Sequence, residues 1–558
     1  MIRTFCTNKI RESESLNGSD WMFSPDSGQH RGQHFPIVVP GCWESLPAFS
    51  NYRGSGCYSR LIEAAGNIRL VFKGVSHTAD IYLDGEHLAH HYNAYTAFSA
   101  IALNVPSGEH KLEVRVDNSF SEVSALHVPN DYYSYGGISR GVVLEHLEDA
   151  FIEYLHVIPQ KTATGWDAAV TVQVRNLSSQ TLPTTLCCEV AGQACSEPLV
   201  LPANGTTQWT QTYSFTDVAE WDIEAPNLHY LSAELSDTEG TYDDLIERFG
   251  FREILTEGKD LLLNGKKLRI KGFCRHEDHP MFGCALPLQA IAQDIEIVKD
   301  LGGNAIRTVH YPNDELFLDL CDEQGILVWE ENHARGLSEE QMRNPHFEEQ
   351  AEQVIREMIN DHFNHPSIFI WGILNECASE TVFGRSCYEK QFDLIQHLDT
   401  SRPWSTASCK MKDELCLDLS TVISYNIYPE WYVPLPTGDF LADLYDWVQT
   451  QAGGQDKPFL ITEVGAGAVY GYRNPAAPKW SEEYQRQALE AQISAIFAQD
   501  GCSGIFIWQL TDVKVSSEWF ANRPRSMNNK GVVDEYRRGK LAYDTVQKLF
   551  REQPSYVE

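Results

Sequence analysis

At 558 residues the chain exceeds one ordinary domain and has room for about three to five, at roughly 100–200 residues each. Its 42% hydrophobic and 22% charged residues are those of a packed protein, which excludes a disordered chain, a fibrous repeat or a coiled coil. The 44 basic and 78 acidic residues leave a formal charge of −34, which argues against nucleic acid or membrane as partner but allows an acidic small substrate in a local cationic pocket.

The 14 cysteines include one adjacent pair (Cys187, Cys188) and no CxxC spacing, so neither a zinc site nor a disulfide framework is expected. The opening MIRTFCTNKIRESESLNG lacks the apolar core of a signal peptide, and no run of ~18 apolar residues follows. Both features point to the reducing cytoplasm.

Residues 1–148 read as a β-sandwich. Short alternating runs (Ile68–Gly74, Ala79–Leu83, His110–Asn118) are separated by turn residues such as Asp84-Gly85. Residues 149–250 are rich in Thr, Val and Ser, with runs at Ala168–Val174, Thr185–Val190 and Leu231–Leu235. About a hundred residues holding ~7 short strands suit an immunoglobulin-like sandwich. From 251 to 558 the pattern alternates between two periods. Eight apolar runs appear in order: Leu268–Phe273, Asn304–His310, Ile326–Glu331, Ile368–Glu376, Trp404–Ser408, Val422–Tyr428, Pro458–Gly465 and Gly504–Leu510. Most precede an amphipathic segment; one places Leu288, Ile291, Ile295 and Val298 on a single helical face, while the segment after the fifth run is short and weak. Continuous apolar strands alternating eightfold with helices predict a (β/α)8 barrel.

Enzymes of this architecture work at the C-terminal strand ends. Here those ends carry polar residues on nearly every strand: Arg275 to Asp278, Arg307 and His310, Glu330 to His333 with Arg335, Asn375-Glu376, Asn426 with Tyr428 and Tyr432, Glu463, and Trp508. Glu376 and Glu463 end strands four and seven, roughly across the pore. Two carboxylates facing one sugar are what glycoside hydrolysis requires, one protonated to donate to the leaving oxygen and one ionised to attack the anomeric carbon. Asn375 is placed to hold a 2-hydroxyl or to bond the backbone. Trp508 is placed to stack on a sugar face or to fill the core. Arg523–Lys530 (RPRSMNNK) reads as a carboxylate clamp or as a solvated basic loop. No HExxH spacing occurs, so neither metal nor cofactor is expected.

Several segments resemble glycoside hydrolase family 2, and within it the β-glucuronidase branch: LNGSDWMF, GCWESLP, HTADIYLDGE, NDYYSYGGISR, IEAPNLHYL, RFGFREI, GFCRHEDHP, AIRTVHYPND, NHPSIFIWGILNE and FLITEVG. The resemblance implies a jelly-roll first domain and an exo-acting, metal-independent, retaining hydrolase. It makes Glu376 the acid/base and Glu463 the nucleophile. Asn375, His276, Asn426, Tyr432 and Trp508 would contact the sugar, and Asp131 would reach its hydroxyls from the first domain. Asn528 and Lys530 match the Asn-x-Lys motif by which uronidases hold the C6 carboxylate. Three departures stand out: Val464 follows the nucleophile, Pro524 falls where an arginine is expected, and the loop 332–346 is short and carries His333 and Arg335. Arg335 would reach the carboxylate, reach a C4 hydroxyl, or pair within its loop, which leaves glucuronide and galacturonide both open. The rival readings are a β-galactosidase or β-mannosidase of the same family and, more remotely, a non-catalytic carbohydrate-binding protein. A homo-oligomer is compatible with the resemblance.

Overall fold

The structure is a computed structural model and describes residues 2–557. The N-terminal part is an antiparallel eight-stranded sheet. Its two long strands, Ser55–Phe72 and Phe98–Asp117, pair along most of their length, and the register shifts twice around Gly66. Bulges of this kind bend and twist a strand pair. The alternating inward residues meet in one core that includes Trp21, Phe23, Trp43, Tyr58 and Val114. Seven strands between Ala150 and Phe249 follow, in sheets of three and four, closing on Trp166, Val172, Leu186 and Leu231. These are the two β-sandwiches.

The remainder is a parallel barrel of β1 (Ile270–Arg275), β2 (Ala305–Thr308), β3 (Leu327–Glu331), β4 (Ile368–Gly372), β5 (Trp404–Ser405), β6 (Ile423–Asn426), β7 (Phe459–Val464) and β8 (Cys502–Ile507). β1 pairs with both β2 and β8, and a single bridge, Ser408 to Tyr425, joins the β5 end to β6. Burial on both faces explains the continuous apolar runs: side chains of one face pack inside the barrel and those of the other under the helices. The strands match the eight runs, except that Leu268 belongs to a small antiparallel sheet at the barrel floor. Only a short 3-10 turn, Met411–Asp413, stands after β5, where the sequence pattern was weakest. Elsewhere helices are set by local signals. Asp314 caps Glu315–Gln324 by accepting from the Leu316 N–H, and Gly325 ends it in the left-handed region at φ 69°. No helix among the described residues is long and apolar enough to cross a membrane.

The first sandwich is pinned onto the strand-end face of the barrel. Arg140 donates to Glu277 (2.8 Å) and to the carbonyls of Tyr95 and Pro312 (2.7 Å each), and Tyr135 donates to Asp278 (2.9 Å). Beside these contacts His77, His127 and the barrel-loop His333 are packed ring on ring, with centroids 4.1 and 4.2 Å apart. Burial pushes His77 down to about 4 and His333 to about 3 and carries His127 well below its ordinary value, with neighbouring rings adding to the shift in His127 and His333. Arg53 opposes a charge on His77 and Asp117 favours it. Groups depressed in the fold contribute stability that is complete above the unfolded value, about 6.5, and lost as pH falls toward the folded one. For His77 alone that loss is on the order of 3 kcal/mol. Melting temperature is therefore expected to drop steeply below pH 6, and His333→Gln to flatten that drop; parallel melting curves for both proteins between pH 7 and pH 4.5 would contradict it.

Candidate active site

At the C-terminal ends of the strands lies a cavity of about 790 Å³, lined by Glu376 and Glu463 together with Asp131, Arg335, Asn426, Tyr432, Trp508 and Lys530. Of the residues the sequence singled out, these eight line the one cavity. The other three, His276, Asn375 and Asn528, are buried immediately behind it. The Nε2 of His276, the Nδ2 of Asn375 and the Oδ1 of Asn528 have no protein partner. Buried polar atoms left over at the back of a polar cavity are ones that a polyhydroxy ligand can satisfy.

Glu463 ends β7. Its Oε1 accepts from Arg307 Nη1 (3.0 Å) and its Oε2 from the Tyr428 hydroxyl (2.7 Å). Glu376 follows β4 and accepts from Asn426 Nδ2 at 3.0 Å. The same amide reaches Asn375 Oδ1, and Arg307 Nη2 reaches that oxygen at 2.8 Å, so one lattice of bonds fixes both carboxylates. Leu374 (φ 49°) and Glu376 (φ 54°) both occupy the left-handed backbone region. Non-glycine residues there cost roughly 1–2 kcal/mol each, a strain that surrounding bonds must overcome. Tyr388 donates to the Leu374 carbonyl (2.7 Å) and the Glu376 N–H to the Ala407 carbonyl (2.9 Å).

Burial pushes the Glu463 carboxyl up to about 8; the charge of Glu376 adds to the rise, while Arg307, Tyr428 and Arg335 oppose it. Burial and a neighbouring carboxylate thus work against the Glu463 anion, and the Arg307 and Tyr428 donors work for it.

The opposite wall is cationic. Arg335 and Arg523 sit on Asp131 at 3.3 and 3.0 Å, and Asn528 donates to it at 3.1 Å. Burial disfavours the Asp131 anion, yet Arg335, Lys530 and Arg523 hold it well below the usual carboxylate range. Arg335 also lies 3.7 Å from Glu376 and bonds Asn130 at 3.0 Å. Lys530 is 2% exposed and donates to the Tyr432 hydroxyl (3.0 Å), but it makes no ion pair among the described residues. Three cations thus face one carboxylate, leaving an excess of positive charge in a strongly acidic protein.

Sequence reasoning gave no site role to Arg307, Tyr428, His310 or Arg523. The first three stood at strand ends, so the signal was present. Arg523 was visible beside Pro524, but only the folded loop shows it reaching Asp131. The two strongest cues, Asn375-Glu376 and Glu463, are brought together as their strand positions require. The Asn528–Lys530 pair divides its work: Lys530 lines the cavity, and Asn528 braces Asp131.

Two family profiles match the chain, "Glycosyl hydrolases family 2, TIM barrel domain" over residues 254–552 and "Glycosyl hydrolases family 2" over 150–252. A β-glucuronidase of Bacteroides fragilis is 27% identical over 570 residues, covering 94% of this chain and 79% of the relative. Among solved structures, the family 2 β-galacturonidase from Eisenbergiella tayi bound to galacturonate is 56% identical, with a TM-score of 0.98 and complete coverage of both chains. The β-glucuronidase of Faecalibacterium prausnitzii is 26% identical, with a TM-score of 0.85 over 99% of each chain. With more than half of its length in the family's barrel and a second family module before it, the chain belongs to glycoside hydrolase family 2 and is a glycoside hydrolase.

Proposed function

We propose that the enzyme is an exo-acting, retaining β-uronidase whose preferred substrates are β-D-galacturonides. The observation that carries the uronide reading is Lys530, a buried ammonium without an ion-pair partner on the wall facing the two glutamates. A buried charge without a counter-ion is costly, and a sugar carboxylate bound there would relieve it. The galacturonide preference is supported by the 56% identity to the Eisenbergiella tayi β-galacturonidase, against 26–27% to the two β-glucuronidases.

In this reading the uronate carboxylate meets Lys530 and the Tyr432 hydroxyl, while Asp131 and Arg335 meet ring hydroxyls. Trp508 and His276 pack beside the ring, and Asn375 takes the 2-hydroxyl. Glu463 attacks the anomeric carbon as Glu376 protonates the departing oxygen. Glu376 then takes a proton from the water that releases the sugar. Only chain residues act, and no metal is required. The 14 cysteines, all unpaired, suit a reducing compartment, and we place the enzyme in the cytoplasm.

Chromogenic β-D-galacturonide, β-D-glucuronide and β-D-galactoside separate the readings. Turnover should be fastest on the first, slower on the second and negligible on the neutral sugar. A galactoside cleaved as well as either uronide would reject the proposal.

A further inference from the structure

Glu331, the last residue of β3, touches neither the cavity nor Glu463, yet it is the hub of the bonds that reach Glu463. Its Oε2 accepts from Arg307 Nε (2.9 Å) and from the Trp329 indole (2.9 Å). Its Oε1 accepts from Arg307 Nη2 (3.1 Å) and from His310 Nδ1 (2.8 Å). Arg307 is fully buried and divides its donors: Nε and Nη2 toward Glu331, Nη1 toward Glu463 and Nη2 also toward Asn375. One guanidinium therefore serves two carboxylates.

From this geometry we infer that Glu331 is a positioning residue that sets the basicity of the nucleophile. Its charge neutralises Arg307 from the far side, so Arg307 orients Glu463 without fully stabilising it as an anion. A buried cation left to Glu463 alone would make a weaker nucleophile and a better leaving group. Glu331 acts on His310 in the same direction. An ionised carboxylate only accepts, so the neutral imidazole carries its proton on Nδ1. Its Nε2, 4.0 Å from Glu463 Oε1 and without a partner, then presents a lone pair and donates nothing to Glu463. Burial, with Arg307 and Arg335 nearby, holds His310 in the neutral form.

The other groups facing Glu463 do not duplicate this control. Glu376 raises its proton affinity, while Tyr428 and Arg335 lower it. Cys274 on β1 is a buried thiol bonded to the Thr462 carbonyl and stays uncharged. Among these groups, Glu331 alone meets both Arg307 and His310.

The inference rests on Glu463 as the nucleophile, and the two can be tested apart. Trapping with a 2-deoxy-2-fluoro-β-uronosyl fluoride followed by peptide mapping locates the nucleophile; a label elsewhere removes the premise. With the label on Glu463, Glu331→Gln reads the inference itself. The acidic limb of kcat/KM should move down by about one pH unit or more. Glycosylation should slow by roughly tenfold or more, while release of the trapped sugar by water accelerates, because the carboxylate leaves more readily. A merely structural role would slow both steps and leave the limb where it was. That outcome, or a limb displaced upward, overturns the assignment. Glu331→Asp keeps the charge and loosens the grip on Arg307, and it serves alone should the Gln variant fail to fold. Its limb should stay within about 0.3 unit of wild type while turnover falls; a shift of a full unit would be equally fatal.

Discussion

Glu463→Gln is expected to fold with the wild-type melting profile and to lose at least about four orders of magnitude in turnover. The substitution keeps the size of the side chain, its one oxygen can still accept from Arg307, and its amide nitrogen can donate to the Tyr428 hydroxyl once that hydroxyl turns, so the surroundings change little. What disappears is the anion that bonds to the anomeric carbon. The stronger check removes each carboxyl and supplies azide. Glu463→Gly with azide should yield the α-glycosyl azide, since the small anion attacks from the vacated face in one displacement. Glu376→Ala should yield the β-glycosyl azide, since the covalent intermediate still forms and azide replaces water in the second step. Exchanged product configurations would exchange the two roles, and a Glu463→Gln protein within tenfold of wild type would remove the nucleophile from this position.

Lys530→Ala is expected to cut kcat/KM on uronides by roughly 10²–10³-fold, as losing one partner of a buried charge pair costs about 2–5 kcal/mol. The loss should be much smaller on the matching galactoside, which has no carboxylate to leave stranded. Stability should hold or rise, because Lys530 makes no ion pair in the free protein and only the Tyr432 hydroxyl and nearby aromatic faces offset its desolvation. The substrate ratio is the decisive readout, since a general disturbance of the loop would lower both activities alike. Equal losses on charged and neutral sugars would count against the clamp.

Much of this site could be read before folding. Strands buried on both faces leave continuous apolar runs, so β4 and β7 were plain in IFIWGILNE and PFLITE, and a carboxylate ending such a run has few places to point except the barrel mouth. What the sequence did not show is the pairing among charges. Arg523 and Asp131 lie 392 residues apart and meet only because the sandwich docks on the barrel. No local period encodes that contact. The same holds for Arg307, whose strand-end position was visible but whose division between Glu331 and Glu463 depends on angstrom-scale packing. Helix bounds were harder still where caps decide them: the helix Val382–Leu398 starts where Thr381 accepts from the Gly384 N–H, a signal of one side chain rather than of a period.

Asp131 belongs to the sandwich, while the two guanidiniums that straddle it belong to barrel loops. Docking of the modules and choice of substrate are consequently one event. An isolated barrel would keep both glutamates but would lose the counter-charge that keeps Arg335 and Arg523 apart and aligned. Exchanging the sandwich between relatives should therefore alter which sugars are accepted, while the bond-breaking chemistry stays with its host.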